Sequence, residues 1–188
     1  MQPSNISDNL LLLRLKKKDP EAFAKLYDLY VTPIYRFIYF KVSSQQDAED
    51  LTSEVFMKVW QYVTETEDVI ENFRALIYKV ARNSVIDFYR ARAKSDMPQS
   101  DEILSNIVDD HQQSLLRQIE IEIDVNKIES VLKKVKDEYR DVIILKYIDG
   151  LSTKEIAKIL DKSNGSVRVL LHRALGVIRE IINQNGKQ

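Results

Sequence analysis

The 188-residue sequence contains no cysteine, which excludes disulfide bonds, thiolate metal sites and cysteine nucleophiles. Its only two histidines, His111 and His172, lie far apart in the chain, so a histidine-based metal site or catalytic triad has little support. The four glycines form neither a phosphate-binding loop nor a G-x-S-x-G nucleophile elbow. The sequence therefore predicts no metal, no cofactor and no enzymatic activity.

Long hydrophobic runs are also missing. No apolar stretch approaches the roughly 20 residues that a membrane-spanning helix needs. In residues 1–20 the apolar stretch comes before the cations, which is the reverse of a signal peptide. We expect a cytoplasmic protein without membrane insertion.

An excess of charge of one sign is absent from the whole chain but not from its segments. The 28 basic and 29 acidic residues give a net charge of −1. Residues 72–94 nevertheless carry +5 and residues 151–188 carry +4, whereas residues 45–71 and 95–125 carry −7 each. Clustered cations, rather than a basic total, are what binding to nucleic acid requires. The charge pattern predicts two nucleic-acid-binding segments, each preceded by a more acidic one.

The chain divides at a Ser- and Asp-rich stretch that includes Pro98. We predict a first domain over residues 1–92, a flexible acidic linker over 93–124 and a second domain over 125–188. Residues 112–124 alternate with period two at their end, which also suits a strand, although a helix is favoured because no partner strand is nearby.

Apolar residues recur at helical spacing through both domains, and the fold class predicted is all-α. In the first domain one helix starts at Pro20 after Asp19, a second starts near Asp47, and a third runs from Phe73 to Phe88. In the second domain, helices are predicted around residues 128–135 and 142–148, the latter ending at Gly150.

The stretch from Leu151 to Ile178 has the pattern of a helix-turn-helix. Ser152 or Thr153 can cap a short helix, a Gly-containing turn follows, and a second helix begins near Ser166. If the apolar positions of that second helix face inward, its outward face shows Ser166, Val169, His172, Arg173 and Gly176, with Arg168 at the edge. Such a face suits a DNA groove, although a helical hairpin with a merely solvated basic face has the same pattern.

The first basic segment mixes cations with aromatic residues. Tyr78, Arg82, Val85, Tyr89 and Arg92 fall on one helical stripe, with Asn83 beside Arg82. Aromatic rings beside cations suit single-stranded DNA, on which bases stack. Tyr78 and Tyr89 at the edge of the core explain this stripe equally well.

Three motifs in order resemble one family, the sigma-70 class of bacterial RNA polymerase sigma factors, and within it the small two-domain extracytoplasmic-function (ECF) group. DAEDLTSEVFMKVW is similar to the family's polymerase-binding helix, and NFRALIYKVARNSVIDFYR to its −10 promoter region. EYRDVIILKYIDGLSTKEIAKIL and GSVRVLLHRAL resemble its −35-reading domain. The resemblance covers nearly all of the chain outside the linker.

The resemblance implies three groups of site residues. Core-polymerase binding, or support of that surface, would fall to Asp47, Asp50, Leu51, Glu54, Phe56 and Trp60. Contacts near the −10 element would come from Arg74, Lys79, Arg82, Asn83 and Arg90. Contacts to the −35 element would come from Ser166, Arg168, Val169, His172 and Arg173.

The resemblance also implies partners and an activity. It implies core RNA polymerase and promoter DNA as partners, often with an anti-sigma protein that masks the polymerase-binding surfaces. The activity expected is promoter-specific initiation of transcription, with −35 recognition and with −10 recognition and melting. The alternative is a free-standing helix-turn-helix regulator, which leaves the motif at residues 47–60 and the stripe around Asn83 unexplained.

Overall fold

The computed structural model describes residues 5–95 and 125–185, whose regular secondary structure is entirely helical, with no strand among them. In chain order the helices are α1 (Asn5–Lys16), α2 (Pro20–Val42), α3 (Gln45–Glu65), α4 (Phe73–Ser95), α5 (Val125–Lys133), α6 (Asp137–Ile143), a π-helical turn (Ile144–Ile148), α7 (Thr153–Leu160) and α8 (Asn164–Asn185). The all-α prediction is confirmed. Residues 96–124, which include nearly all of the predicted linker and the helix-or-strand alternative, lie outside the described residues.

Helices α1 to α4 form the N-terminal bundle. Helix α2 begins where predicted, because the Asp19 carboxylate accepts a hydrogen bond from the Glu21 backbone N–H at 3.0 Å and Pro20 fits the first turn. Its inward face buries an apolar row at three- and four-residue spacing. The fully or almost fully buried members of this row are Leu26, Tyr30, Ile34 and Phe37.

Helix α1 was not predicted, since a run of four leucines hides helical periodicity. Leu11 and Leu12 face the core, whereas Leu10 and Leu13 are each 64% exposed. Arg14 joins α1 to the start of α2 through an ion pair of 2.7 Å with Asp19. Which leucines of α1 are buried is therefore set by the helices that pack against it, α2 and α3.

The aromatic stripe predicted on α4 faces the core at Tyr78 and Val85 only. Tyr78 and Val85 are buried at 0% and 1% exposure, so Tyr78 offers no ring to a DNA base. Tyr89 is 43% exposed, and its hydroxyl donates to the Lys41 carbonyl oxygen at 2.7 Å. The explanation of Tyr78 as a packing residue is the correct one.

The C-terminal helices bury apolar side chains of their own, among them Val142, Leu145 and Leu160. Helix α6 continues into the π-helical turn, and Gly150 then reverses the chain with a φ of 67°, a conformation that glycine adopts without strain. Ser152 caps α7 in a capping box: its hydroxyl accepts from the Glu155 N–H, and the Glu155 carboxylate accepts from the Ser152 N–H at 2.8 Å. Ile156 and Val167 are fully buried, so α7 packs against α8 as a helix-turn-helix requires.

The two groups of helices also pack against each other, with α4 against α7 and α2 against α5. None of the described helices is long and apolar enough to cross a membrane.

Candidate polymerase-binding and DNA-binding surfaces

The residues assigned to polymerase binding divide between the surface and the core of α3. Asp50 and Glu54 are exposed and Asp47 and Trp60 are half-buried, whereas Leu51 and Phe56 are buried at 6% and 3%. Leu51 and Phe56 therefore support this surface from below. The acidic side chains form its outer rim.

A shallow groove lies between the start of α2 and the exposed face of α3. Its floor is aromatic, since the Trp60 ring packs edge-on against Phe23 with 5.0 Å between centroids. Met57, at 72% exposure, projects beside it. The residues that line the groove are Pro20, Phe23, Asp50, Ser53, Glu54, Met57, Lys58, Trp60 and Gln61. Sequence reasoning did not assign Phe23 or Met57 to this surface.

The predicted −10 residues all lie on α4, but they differ in exposure. Arg90 is exposed and pairs with Asp87 at 3.3 Å, and Asn83 is exposed. Lys79 is about half exposed, whereas the Arg74 and Arg82 side chains are only 12% and 28% exposed. The structure thus brings Arg74, Lys79 and Arg82 to the boundary with the C-terminal helices.

Each of these three cations contacts an acceptor from the C-terminal helices. Arg82 donates through Nε to Asp141 at 2.9 Å, and Lys79 lies 3.8 Å from the carboxylate of Asp161. Arg74 donates through Nη2 to the Asp149 carbonyl oxygen at 2.6 Å, and its Nη1 lies 3.7 Å from the Glu155 carboxylate. The predicted −10 surface is therefore partly occupied by acidic residues of the same chain.

Two cations on α2, Arg36 and Lys41, complete this arrangement, and sequence reasoning missed both. Lys41 forms an ion pair with Asp141, and Arg36 forms one with Asp149. The Lys41 side chain, only 5% exposed, also lies 5.6 Å from the centre of the Phe37 ring. Nothing in the local pattern of α2 indicated these contacts, since the partners are 100 and 113 residues away.

Burial decides the electrostatics at Asp149. Removal of the carboxyl group from water raises its pKa, and the nearby Arg36 and Arg74 guanidinium groups oppose that rise. A second acid at the boundary, Glu71, is exposed, and its hydrogen bond from Lys158 at 2.9 Å lowers its pKa. Within the described residues no group of His, Cys, Asp or Glu has the arrangement of a metal site.

The predicted recognition face of α8 is open. Ser166, Arg168, His172 and Arg173 are exposed, and Val169 is 49% exposed, while Val167, Leu171 and Ala174 are buried. At its start, the Ser166 backbone N–H donates to the Ser163 hydroxyl oxygen at 3.1 Å. This face matches the inward and outward positions derived from the sequence.

Two family models match the chain. Residues 26–95 match "Sigma-70 region 2" and residues 126–176 match "Sigma-70, region 4". The first match includes α3 and α4, and the second includes the helix-turn-helix. A free-standing helix-turn-helix regulator is not favoured, because such a protein does not account for the region 2 match.

Individual proteins give the same result. The chain is 32% identical over 175 residues to the ECF RNA polymerase sigma factor SigW of Bacillus subtilis, covering 89% of this chain and 92% of SigW. It is 24% identical to the ECF RNA polymerase sigma factor BldN of Streptomyces coelicolor, covering 99% of this chain and 71% of BldN.

Two solved structures share the fold at 21% identity. One is CnrH in complex with the cytosolic domain of CnrY, with a TM-score of 0.70, covering 95% of this chain and 98% of CnrH. The other is the sigma factor RpoE of Bartonella quintana in complex with the anti-sigma factor NepR, with a TM-score of 0.68, covering 86% of this chain and 96% of RpoE. Together with the similarity to SigW, the two family matches show that this chain belongs to the ECF group of sigma-70 RNA polymerase sigma factors, which direct promoter-specific transcription.

Proposed function

We propose that this sigma factor divides its work among three surfaces. Residues 1–92 bind core RNA polymerase through α3 and the −10 element through α4, and residues 125–188 bind the −35 element through α8. Residues 93–124 link the two. The observation that supports this division most strongly is the presence of region 2 and region 4 matches in one chain. The protein acts in the cytoplasm and catalyses nothing itself, since the polymerase supplies the catalytic site.

The groove beside α3 is the proposed polymerase-binding site. Its aromatic floor at Phe23 and Trp60 offers apolar area for a partner helix, and Asp50 and Glu54 on its rim favour a basic partner. Trp60 is the proposed energetic centre, because partly buried aromatic residues surrounded by a polar rim dominate many protein interfaces.

The open face of α8 is the proposed −35-reading surface. Arg168 and Arg173 supply donors for guanine edges or phosphates, and Val169 supplies a methyl contact for thymine. Ser166 and His172 offer hydrogen bonds at the same face. Because Val169 and Leu170 stand where the family often has a Ser-Arg pair, we expect an altered −35 preference rather than a loss of binding.

The −10 surface proposed on α4 consists of Arg74, Lys79, Arg82, Asn83 and Arg90. These residues lie on the helix of the +5 segment, which supplies the charge that the DNA backbone attracts. We further propose an anti-sigma protein as a partner, since RpoE, which shares this fold, was solved with an anti-sigma factor.

Run-off transcription with purified core polymerase and a promoter library tests the function. We expect specific initiation only when this chain is added, and its absence on every promoter would overturn the proposal. Trp60→Ala should weaken polymerase binding by at least about 2 kcal/mol, as at other interface hot spots. Tyr62→Ala is the matched control, because Tyr62 is an exposed aromatic residue on the same helix that does not line the groove.

A further inference from the structure

Four cations from two helices of the N-terminal bundle bind two aspartates of the C-terminal helices. Asp141 is shared between Lys41 of α2 and Arg82 of α4. Asp149 binds Arg36 of α2 through its carboxylate and Arg74 of α4 through its backbone carbonyl oxygen. Each aspartate therefore bridges α2 and α4 at one point of the same basic surface.

The ion pairs that Asp141 and Asp149 form with these cations are buried. The side chains of Asp141 and Asp149 are 2% and 0% exposed, and that of Lys41 is 5% exposed. Ion pairs shielded from water are screened by salt much less than exposed ones. The closed arrangement thus removes these cations from the surface available to DNA.

Carboxylate and phosphate groups present similar anionic oxygens, and a guanidinium group binds either one through the same donors. We propose that Arg36 and Lys41 bind DNA phosphates together with Arg74 and Arg82, and that Asp141 and Asp149 occupy this surface in the free chain. The inference rests on the proposed function, since it extends the −10 surface from α4 to α2. DNA and the C-terminal helices then compete for the same four cations.

Opening the contact tests the competition in the full-length chain. Asp141→Asn combined with Asp149→Asn keeps the side-chain shapes and removes both negative charges. The probe is a short fluorescein-labelled single-stranded DNA of mixed sequence, followed by fluorescence anisotropy. We expect binding at least about tenfold tighter than that of the wild type, because a mostly closed protein lowers its apparent affinity by the fraction that is open.

The matched control is Asp28→Asn combined with Glu180→Gln. These two acids are exposed and have no place in the contact, yet the change in net charge is the same. A general electrostatic effect would strengthen DNA binding equally in both double variants, and that result would overturn the proposal.

The roles of Arg36 and Lys41 are tested in the opened double variant. Each phosphate contact on single-stranded DNA contributes about 0.7 to the slope of log affinity against log salt concentration. Arg36→Gln and Lys41→Gln should each lower that slope by about this amount, whereas Lys25→Gln, an exposed lysine elsewhere on α2, should leave it unchanged. An unchanged slope for Arg36→Gln and Lys41→Gln would show that neither contacts phosphate.

A cross-link that holds the contact closed tests the same competition without altering the buried aspartates. The chain has no cysteine, so Glu71→Cys and Lys158→Cys can be joined selectively by a reducible bis-maleimide. The unsubstituted side chains of these residues meet across the contact at 2.9 Å. We expect the locked protein to lose binding to the DNA probe and to recover it on reduction, and equal binding in both states would overturn the proposal.

Run-off transcription separates this inference from the function on which it rests. Loss of specific initiation on all promoters would overturn the sigma-factor proposal. Specific initiation together with unchanged DNA binding by an opened or unlocked chain would overturn only the competition proposed here.

Discussion

The basic segment on α4 and the one that contains α7 and α8 have similar charge but different surroundings. Residues 72–94 carry +5 and residues 151–188 carry +4. On α4, Arg74 and Arg82 are largely buried against the C-terminal helices, whereas on α8 Arg168 and Arg173 are exposed. Charge along the sequence therefore locates cations that suit DNA, and only the tertiary structure shows which of them are free to bind it.

Among the predictions, Asp141→Ala should have the largest effect, because it removes the carboxylate that holds two of the buried cations. The substitution leaves Lys41 and Arg82 without their shared carboxylate, and loss of one partner of a buried ion pair costs about 3–5 kcal/mol. Urea denaturation should show this loss in the free energy of unfolding. Asp161→Asn is the control, because its exposed pair with Lys79 should contribute only about 0–1 kcal/mol and asparagine tolerates the left-handed backbone at this position, where φ is 57°. Equal losses in the two variants would contradict the importance of burial.

Arg173→Ala tests the open face. The loss of an arginine contact to a base or phosphate should weaken holoenzyme binding to −35 duplex DNA by about 1–3 kcal/mol. The free energy of unfolding should not change, since Arg173 is exposed. Electrophoretic mobility shift measures the affinity, and Arg179→Ala, an exposed arginine about two turns beyond His172 on α8, serves as the control. An effect of Arg179→Ala equal to that of Arg173→Ala would argue against the assignment of Arg173.

Ser152→Ala tests the capping box of α7, the helix that packs against both α4 and α8. The hydroxyl of Ser152 caps α7, which contacts α4 on one side and α8 on the other. Loss of a cap of this kind lowers stability by about 1 kcal/mol. Thermal unfolding should register the change, and restoration by Ser152→Thr would attribute it to the hydroxyl. No loss of stability in Ser152→Ala would show that the capping box contributes little.

The smallest effect is expected from Glu71→Gln at the exposed edge of the contact. Lys158 lowers the pKa of Glu71, so this pair stabilises the closed form fully above the ordinary carboxyl pKa and loses its effect as the pH falls through the lowered value. Dyes attached at Asp28→Cys and Glu180→Cys report the packing of the two halves against each other by energy transfer. The pH is varied from about 7 to about 3, a range over which carboxyl groups titrate. In Glu71→Gln, the fall in energy transfer at low pH should be smaller than in the wild type by the amount that protonation of Glu71 causes. Identical pH profiles would exclude a contribution from Glu71.

Local rules predicted much of the helix-turn-helix and little of the contact between the two halves. Asp19, Pro20, Ser152 and Gly150 act on their immediate neighbours, so their roles followed from the sequence. The buried and exposed positions of α8 followed from its helical period. Local rules work here because the deciding interactions span only a few residues.

Long-range packing explains what the sequence could not show. The period of α4 placed Tyr78 beside Arg82, but only the packing of the bundle shows that Tyr78 is buried. The pairs of Lys41 with Asp141 and of Arg36 with Asp149 join residues 100 and 113 positions apart. The leucine run of α1 is apolar on every side, so its inward face depends on α2 and α3.

The most direct test of the account is the distance between the two halves of the chain before and during transcription. Dyes at Asp28→Cys and Glu180→Cys report it by energy transfer, first in the free chain and then in a holoenzyme on promoter DNA. We expect high transfer in the free chain and a clear fall when an active promoter complex forms, because α4 must release Asp141 and Asp149 to bind DNA. Unchanged high transfer in a complex that initiates transcription would contradict it.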